Sequence, residues 1–173
     1  MSEAHSIHVD SHDRFGQQVG VLAAILAVLL SFFTICAHRA HTETIVLQNE
    51  SNDRWSQYSA KKIRDYQIEM NMDLVKILAP SNPATAKLIS DYTTKHVQFT
   101  KDLADTKVLA ESKVQESILT QKKAMYYDFS VGILEISLVM SSLFFISRKK
   151  FFPIFGAVAG LLGAMVGLLG LLL

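Results

Sequence analysis

The chain is poor in the residues that staple, turn and bridge a fold: 173 residues hold one cysteine, one tryptophan and three prolines. A lone thiol, Cys36, rules out an intramolecular disulfide and gives no reading of redox compartment. Charge of one sign is also missing, since 17 Lys and Arg stand against 16 Asp and Glu for a formal net charge of +1. Phosphate binding needs a basic footprint, so nucleic acid is not an expected partner. The sequence has no Walker loop, no dinucleotide glycine fingerprint, no HExxH and no Cys/His pair at metal-binding separation. His96 and Asp91 stand five residues apart, which on a helix turns them to different sides. No catalytic activity and no cofactor are expected.

What is present is apolar residue in long runs. A hydrocarbon core about 30 Å thick is crossed by roughly 20 apolar helical residues. Three segments meet that length, Gly20 to Ala37, Phe129 to Ile146 and Phe151 to Leu173. The first has little basic charge before it beyond Arg14, runs longer than a signal-peptide core and is followed by no small-x-small cleavage site, so a retained anchor is expected.

Glycine and proline then show where the chain can bend. Neither occurs between Val21 and Ala79, so nothing covalent stops a helix from leaving the first span and continuing through the charged region. Pro80 disfavours helical geometry at Ala79, and Asn82 before Pro83 reads as an N-cap followed by a first-turn proline. The arms His38 to Ala79 and Ala84 to Met125 are equal in length, each about 60 Å at helical rise. Equal arms are what a chain needs if it leaves a membrane, reverses once and returns.

The expected fold is therefore all-α: a polar tail over 1–19, a transmembrane helix over 20–37 and an extramembrane helical hairpin over 38–125 turning at 80–83. A second transmembrane helix over 126–147, a basic loop over 148–150 and a third transmembrane helix over 151–173 follow. Leu47, Trp55, Tyr58, Tyr66, Met70, Leu74 and Ile77 recur at helical spacing on the first arm. Leu88, Tyr92, Phe99, Leu103, Ala110, Val114, Ile118 and Met125 do so on the second. These stripes are expected to pack the arms as a loose coiled coil, interrupted by Ser51 and Lys62. Two helices alone bury little surface per residue, so a homo-oligomer is expected. Arg148-Lys149-Lys150 should stay cytoplasmic, which puts the hairpin on the opposite side.

Among single residues, Glu135 lies midway along the second span, where an ionisable group is costly and marks a functional candidate. No cation lies in any span to pair with it, and burial then favours the neutral acid, free to donate a hydrogen bond across a helix interface. Gly156, Gly160, Gly163, Gly167 and Gly170 alternate four and three apart along one seam of the last helix, the pattern that lets another helix approach closely. That partner helix could belong to the same chain or to a neighbour. Tyr126, Tyr127 and Asp128 fit an interfacial aromatic belt. His5, His8 and His12 with Asp10 and Asp13 are read as part of a disordered polar tail in preference to a metal site.

The run Asn52-Asp53-Arg54-Trp55-Ser56-Gln57-Tyr58-Ser59-Ala60-Lys61-Lys62-Ile63 resembles the signature of an uncharacterised bacterial membrane-protein family that carries only a domain-of-unknown-function label. That family shows a Ser-Asp-x-Trp-x-x-Tyr-Gln-Ala-Lys-like motif after its first membrane helix. Asp53, Trp55, Tyr58, Ala60 and Lys61 carry the match, while Asn52 and Ser59 depart from it. The resemblance implies a bacterial inner-membrane protein and no particular activity. Together with the residue pattern it gives the functional expectation: a non-enzymatic membrane scaffold, self-associating through its hairpin and glycine-rich last helix. The alternatives are an oligomeric proton or ion path using Glu135, and an accessory subunit of a larger membrane complex.

Overall fold

The structure, a computed structural model, describes residues 14–78 and 83–173. Three helices account for nearly all of them: α1 (Arg14–Leu78), α2 (Pro83–Ser147) and α3 (Phe151–Leu172). No strand occurs among the described residues. The reversal assigned to 80–83 lies outside them apart from Pro83, which opens α2 as a first-turn proline. The histidines and aspartates of the N-terminal tail also lie outside them.

Helix α2 ends without a glycine. Arg148 takes a left-handed backbone conformation at φ 54°, and its N–H donates to the Phe144 carbonyl at 2.8 Å. This closes the last turn in the way a C-terminal glycine usually does. A side chain in that conformation costs on the order of 1 kcal/mol, which the helix-capping bond offsets. The next residues start α3, with the Phe152 N–H on the Lys149 carbonyl at 3.4 Å.

The chain forms two compact units, one combining the described residues up to His41 with Gln121–Leu173, the other Thr42–Thr120. In the first unit, segments of all three helices pack around Leu26, Phe33, Ala37, Ala40, Ala124, Tyr127 and Leu134. Its outward surface is apolar as well, including Val21, Ile25, Val28, Phe32, Phe129, Ile136, Val139, Phe155, Leu161 and Met165. Such a contiguous surface is far beyond what a protein leaves in contact with water. All three helices are long and apolar enough to cross a membrane, consistent with a multi-pass membrane protein.

The second unit is a pair of long helical segments packed side by side. Its inward seam differs from the stripe of largest apolar residues. Leu47, Ser51, Trp55 and Tyr58 face the second arm, but from there the contact line continues through Lys61, Asp65, Ile68, Met72 and Val75. Tyr66, Met70, Leu74 and Ile77 are exposed instead. On α2 the inward residues include Tyr92, His96, Phe99, Leu103, Thr106, Ala110, Val114 and Ser117, whereas Leu88, Ile118 and, in the first unit, Met125 are exposed. The physical reason lies in the polar residues. Lys61 Nζ donates to Thr106 Oγ1 at 2.9 Å, and Asp65 meets His96 Nδ1 at 2.7 Å. Two charged side chains are thereby accommodated between the arms, and a more hydrophobic face is turned outward.

Candidate functional site: packing seams and outward faces

In the first unit α3 presents only Pro153 and its five seam glycines as buried residues. The seam that the sequence left open to its own chain or a neighbour faces its own chain. A methyl group at Gly167 would strike the Phe33 ring of α1 and, at 2.6 Å, Ser130 Oγ of α2. At Gly156 it would meet the Ser141 hydroxyl and, at 2.8 Å, the Ser137 carbonyl oxygen, a backbone atom that cannot swing away. Gly160 lies against Leu26 and Ser137, Gly163 against Ile133 and Leu134, and Gly170 against Tyr126 and Tyr127. Absent side chains are thus what brings α3 into contact with the other two helices.

Close approach has a second consequence. It brings the glycine carbonyls within reach of a column of hydroxyls on α2, as Tyr127 Oη donates to Gly170 O at 3.1 Å and Ser130 Oγ to Gly163 O at 2.8 Å. Ser137 Oγ donates to Gly156 O. Residue numbers rise on one helix as they fall on the other, so these bonds form the rungs of an antiparallel ladder. Ser141 completes the column by bonding to the Ser137 carbonyl of its own helix at 2.9 Å. Ser130, Ser137 and Ser141 are each 0% exposed, and every one is satisfied. Sequence reasoning found the glycines and missed their serine counterparts. The available signal was the spacing of Tyr127, Ser130, Ser137 and Ser141, which share one face of α2.

Glu135 is not part of this interior. It lies on the outward side of α2, one turn from Gly132, around which a Cβ would meet nothing within 4 Å. At the edge of the same unit, Asp128 bonds His41 Nε2 at 2.9 Å on an exposed surface. Tyr126 is exposed while Tyr127 is buried, its ring stacked at 6.4 Å on Phe33.

The Asp53 to Lys61 motif lies on α1 in the second unit. Trp55 and Tyr58 are half-buried and meet edge to face at 5.6 Å, and Lys61 makes its bond to Thr106. Asp53 and Ala60 are exposed. The motif therefore serves the contact between the arms with three of its five residues. Lys113 is held by two carboxylates, at 3.2 Å from Glu50 of the other arm and 2.9 Å from Glu116. Its pKa is raised above the ordinary 10.5, first by the bond to Glu116 and then by that to Glu50. The described residues contain no cluster of three or more His, Cys, Asp or Glu that could hold a metal ion.

Helices built this way define an all-α protein with membrane-length apolar segments and a paired helical arm. Residues 15–173 match the family described as Domain of unknown function (DUF4337), and the chain belongs to that family. No curated protein matches the chain, and no solved structure does.

Proposed function

We propose that this protein is a non-enzymatic membrane scaffold, rooted by three transmembrane helices and self-associating through its extramembrane hairpin. The observation that carries the reading is the outward stripe Ile63, Tyr66, Met70, Leu74 and Ile77, 46–74% exposed, on an arm whose inward seam takes up Lys61 and Asp65. Ile63, Met70 and Ile77 recur every seven residues, with Tyr66 and Leu74 beside them, which is the spacing of a coiled-coil contact. A helical pair that keeps its most apolar face outside favours another helix against it. The satisfied column of serines and glycines, by contrast, fastens α3 to its own chain, so self-association falls to the hairpin and to the outward faces of the spans.

The apolar surface of the first unit is the surface that lipid would cover. The basic loop at Arg148-Lys149-Lys150 supports a cytoplasmic position for the α2–α3 connection and an opposite, periplasmic position for the hairpin in a bacterial inner membrane. The reading is tested by native mass spectrometry after gentle solubilisation, comparing the natural chain with Met70→Glu. A homo-oligomer that Met70→Glu dissociates is the expected result. A monomer, or a stoichiometric complex with unrelated chains, would replace the scaffold by an isolated anchor or an accessory subunit. Proton flux in liposomes that disappears in Glu135→Gln would replace it by an ion path.

A further inference from the structure

Resting only on the membrane-crossing part of that reading, we infer that Arg14, Lys149 and Lys150 hold the phosphate of an anionic phospholipid where the α2–α3 loop meets the membrane surface. Three elements converge there. Phe15, at the start of α1, packs edge to face on Phe144 near the end of α2, with ring centroids 5.1 Å apart. Lys150, which leads into α3, lays its ammonium over the Phe15 ring at 5.4 Å from the centroid. That cation–π contact draws the charge of the loop towards Arg14, the neighbour of Phe15 in the chain. The left-handed turn at Arg148 ends α2 beside them, and Arg14, Arg148, Lys149 and Lys150 are all exposed.

Like charges gathered in this way repel, and the three helices offer nothing to offset them. Residues 14–42 and 136–173 contain no Asp or Glu, and the nearest carboxylate along α2, Glu135, lies roughly three turns before that helix ends. Glu3, Asp10 and Asp13 precede the described residues. At the opposite end of the unit, by contrast, the cations Arg39, Lys122 and Lys123 are accompanied by Asp128. A counter-ion from outside the three helices is therefore favoured at the loop. What lies beside the cations selects a lipid over a free anion. Phe151 and Phe155, both exposed, stack at 6.2 Å and carry an apolar surface from the loop into the third span. A phospholipid meets both surfaces at once, its phosphate on the cations and its acyl chains along the phenylalanines. A headgroup with net negative charge fits better than phosphatidylcholine, whose own cation would enter basic surroundings. Basic pockets between transmembrane helices recognise anionic headgroups through this combination.

The natural chain in neutral detergent is titrated with phosphatidylglycerol or with phosphatidylcholine, and bound lipid is counted by native mass spectrometry. Tighter binding of phosphatidylglycerol is expected. Lys150→Gln should weaken it about fivefold, the factor that one cation near a membrane surface contributes, and adding Lys149→Gln should weaken it further. Lys122→Gln, at the opposite end of the unit, should bind as the natural chain does. Equal affinities for the two lipids, or equal losses in Lys150→Gln and Lys122→Gln, overturn the site. Displacement of phosphatidylglycerol by excess inorganic phosphate at constant ionic strength reassigns the cations to a free anion and overturns the lipid. These outcomes leave the three-pass reading standing. Release of the chain from membranes by alkaline carbonate without detergent overturns both.

Discussion

Adding one methyl group at Gly167 measures how closely α3 is held. The new Cβ would fall into the Phe33 ring and within 2.6 Å of Ser130 Oγ, a hydroxyl already committed to the Gly163 carbonyl. Overpacking of this kind costs about 1–3 kcal/mol, and displacing the Ser130 bond adds about 1 kcal/mol. Alanine recovers about 1 kcal/mol of helix propensity over glycine, so Gly167→Ala should destabilise the three-helix unit by about 2 kcal/mol. Gly20→Ala is the internal control, because nothing lies within 4 Å of its Cβ position, and it should be neutral or slightly stabilising. Cys36 provides the assay: it is the chain's single thiol and packs against the apolar core of that unit. Maleimide labelling in detergent, limited by opening of the helices, should accelerate about thirtyfold in Gly167→Ala, since each 1.4 kcal/mol is a factor of ten. Equal labelling rates in Gly167→Ala and Gly20→Ala would refute the claim that the glycine seam closes on its own chain.

Other variants test other parts of the structure. Ser137→Ala leaves the Gly156 carbonyl without its donor and should lower stability by about 1 kcal/mol, read by the same labelling assay. Lys113 has a raised pKa in the folded state, so its contribution is complete below the ordinary lysine value and is lost as pH rises through the higher folded value. The thermal midpoint of the natural chain should therefore fall more steeply in strong alkali than that of Lys113→Met, as followed by circular dichroism. Asp65→Leu removes the partner of His96 from the seam between the arms. It should lower the thermal midpoint of the hairpin, as followed by circular dichroism, and an unchanged midpoint would show that this pair does not couple the arms.

The helices and the loop at 148–150 were legible in the sequence because their determinants are local. Long stretches without Gly or Pro, Pro83 at a helix start and three membrane-length apolar runs each act through the chain's own neighbours. Seam positions on the hairpin were only half legible. Hydrophobic periodicity selected Tyr66, Met70, Leu74 and Ile77 as the contact between the arms, because a pattern argument places charge outside. The actual seam accepts Lys61 and Asp65 because Thr106 and His96, some 30 to 45 residues away along the chain, supply their partners. Only three-dimensional pairing reveals that match. The glycine seam was legible as a contact surface, but the helix filling it was not, since the answer lay in serine spacing on α2. For Glu135 the sequence supplied depth without azimuth, and its outward orientation takes it out of the packed interior of the three-helix unit.

Membrane crossing by all three helices, with the hairpin and the 148–150 loop on opposite sides, is most directly tested by cysteine accessibility in sealed vesicles of known orientation. In a Cys36→Ala background, Ala60→Cys should react with an impermeant maleimide from one side only, and Lys149→Cys from the other side only. Labelling of both positions from the same side would contradict the account.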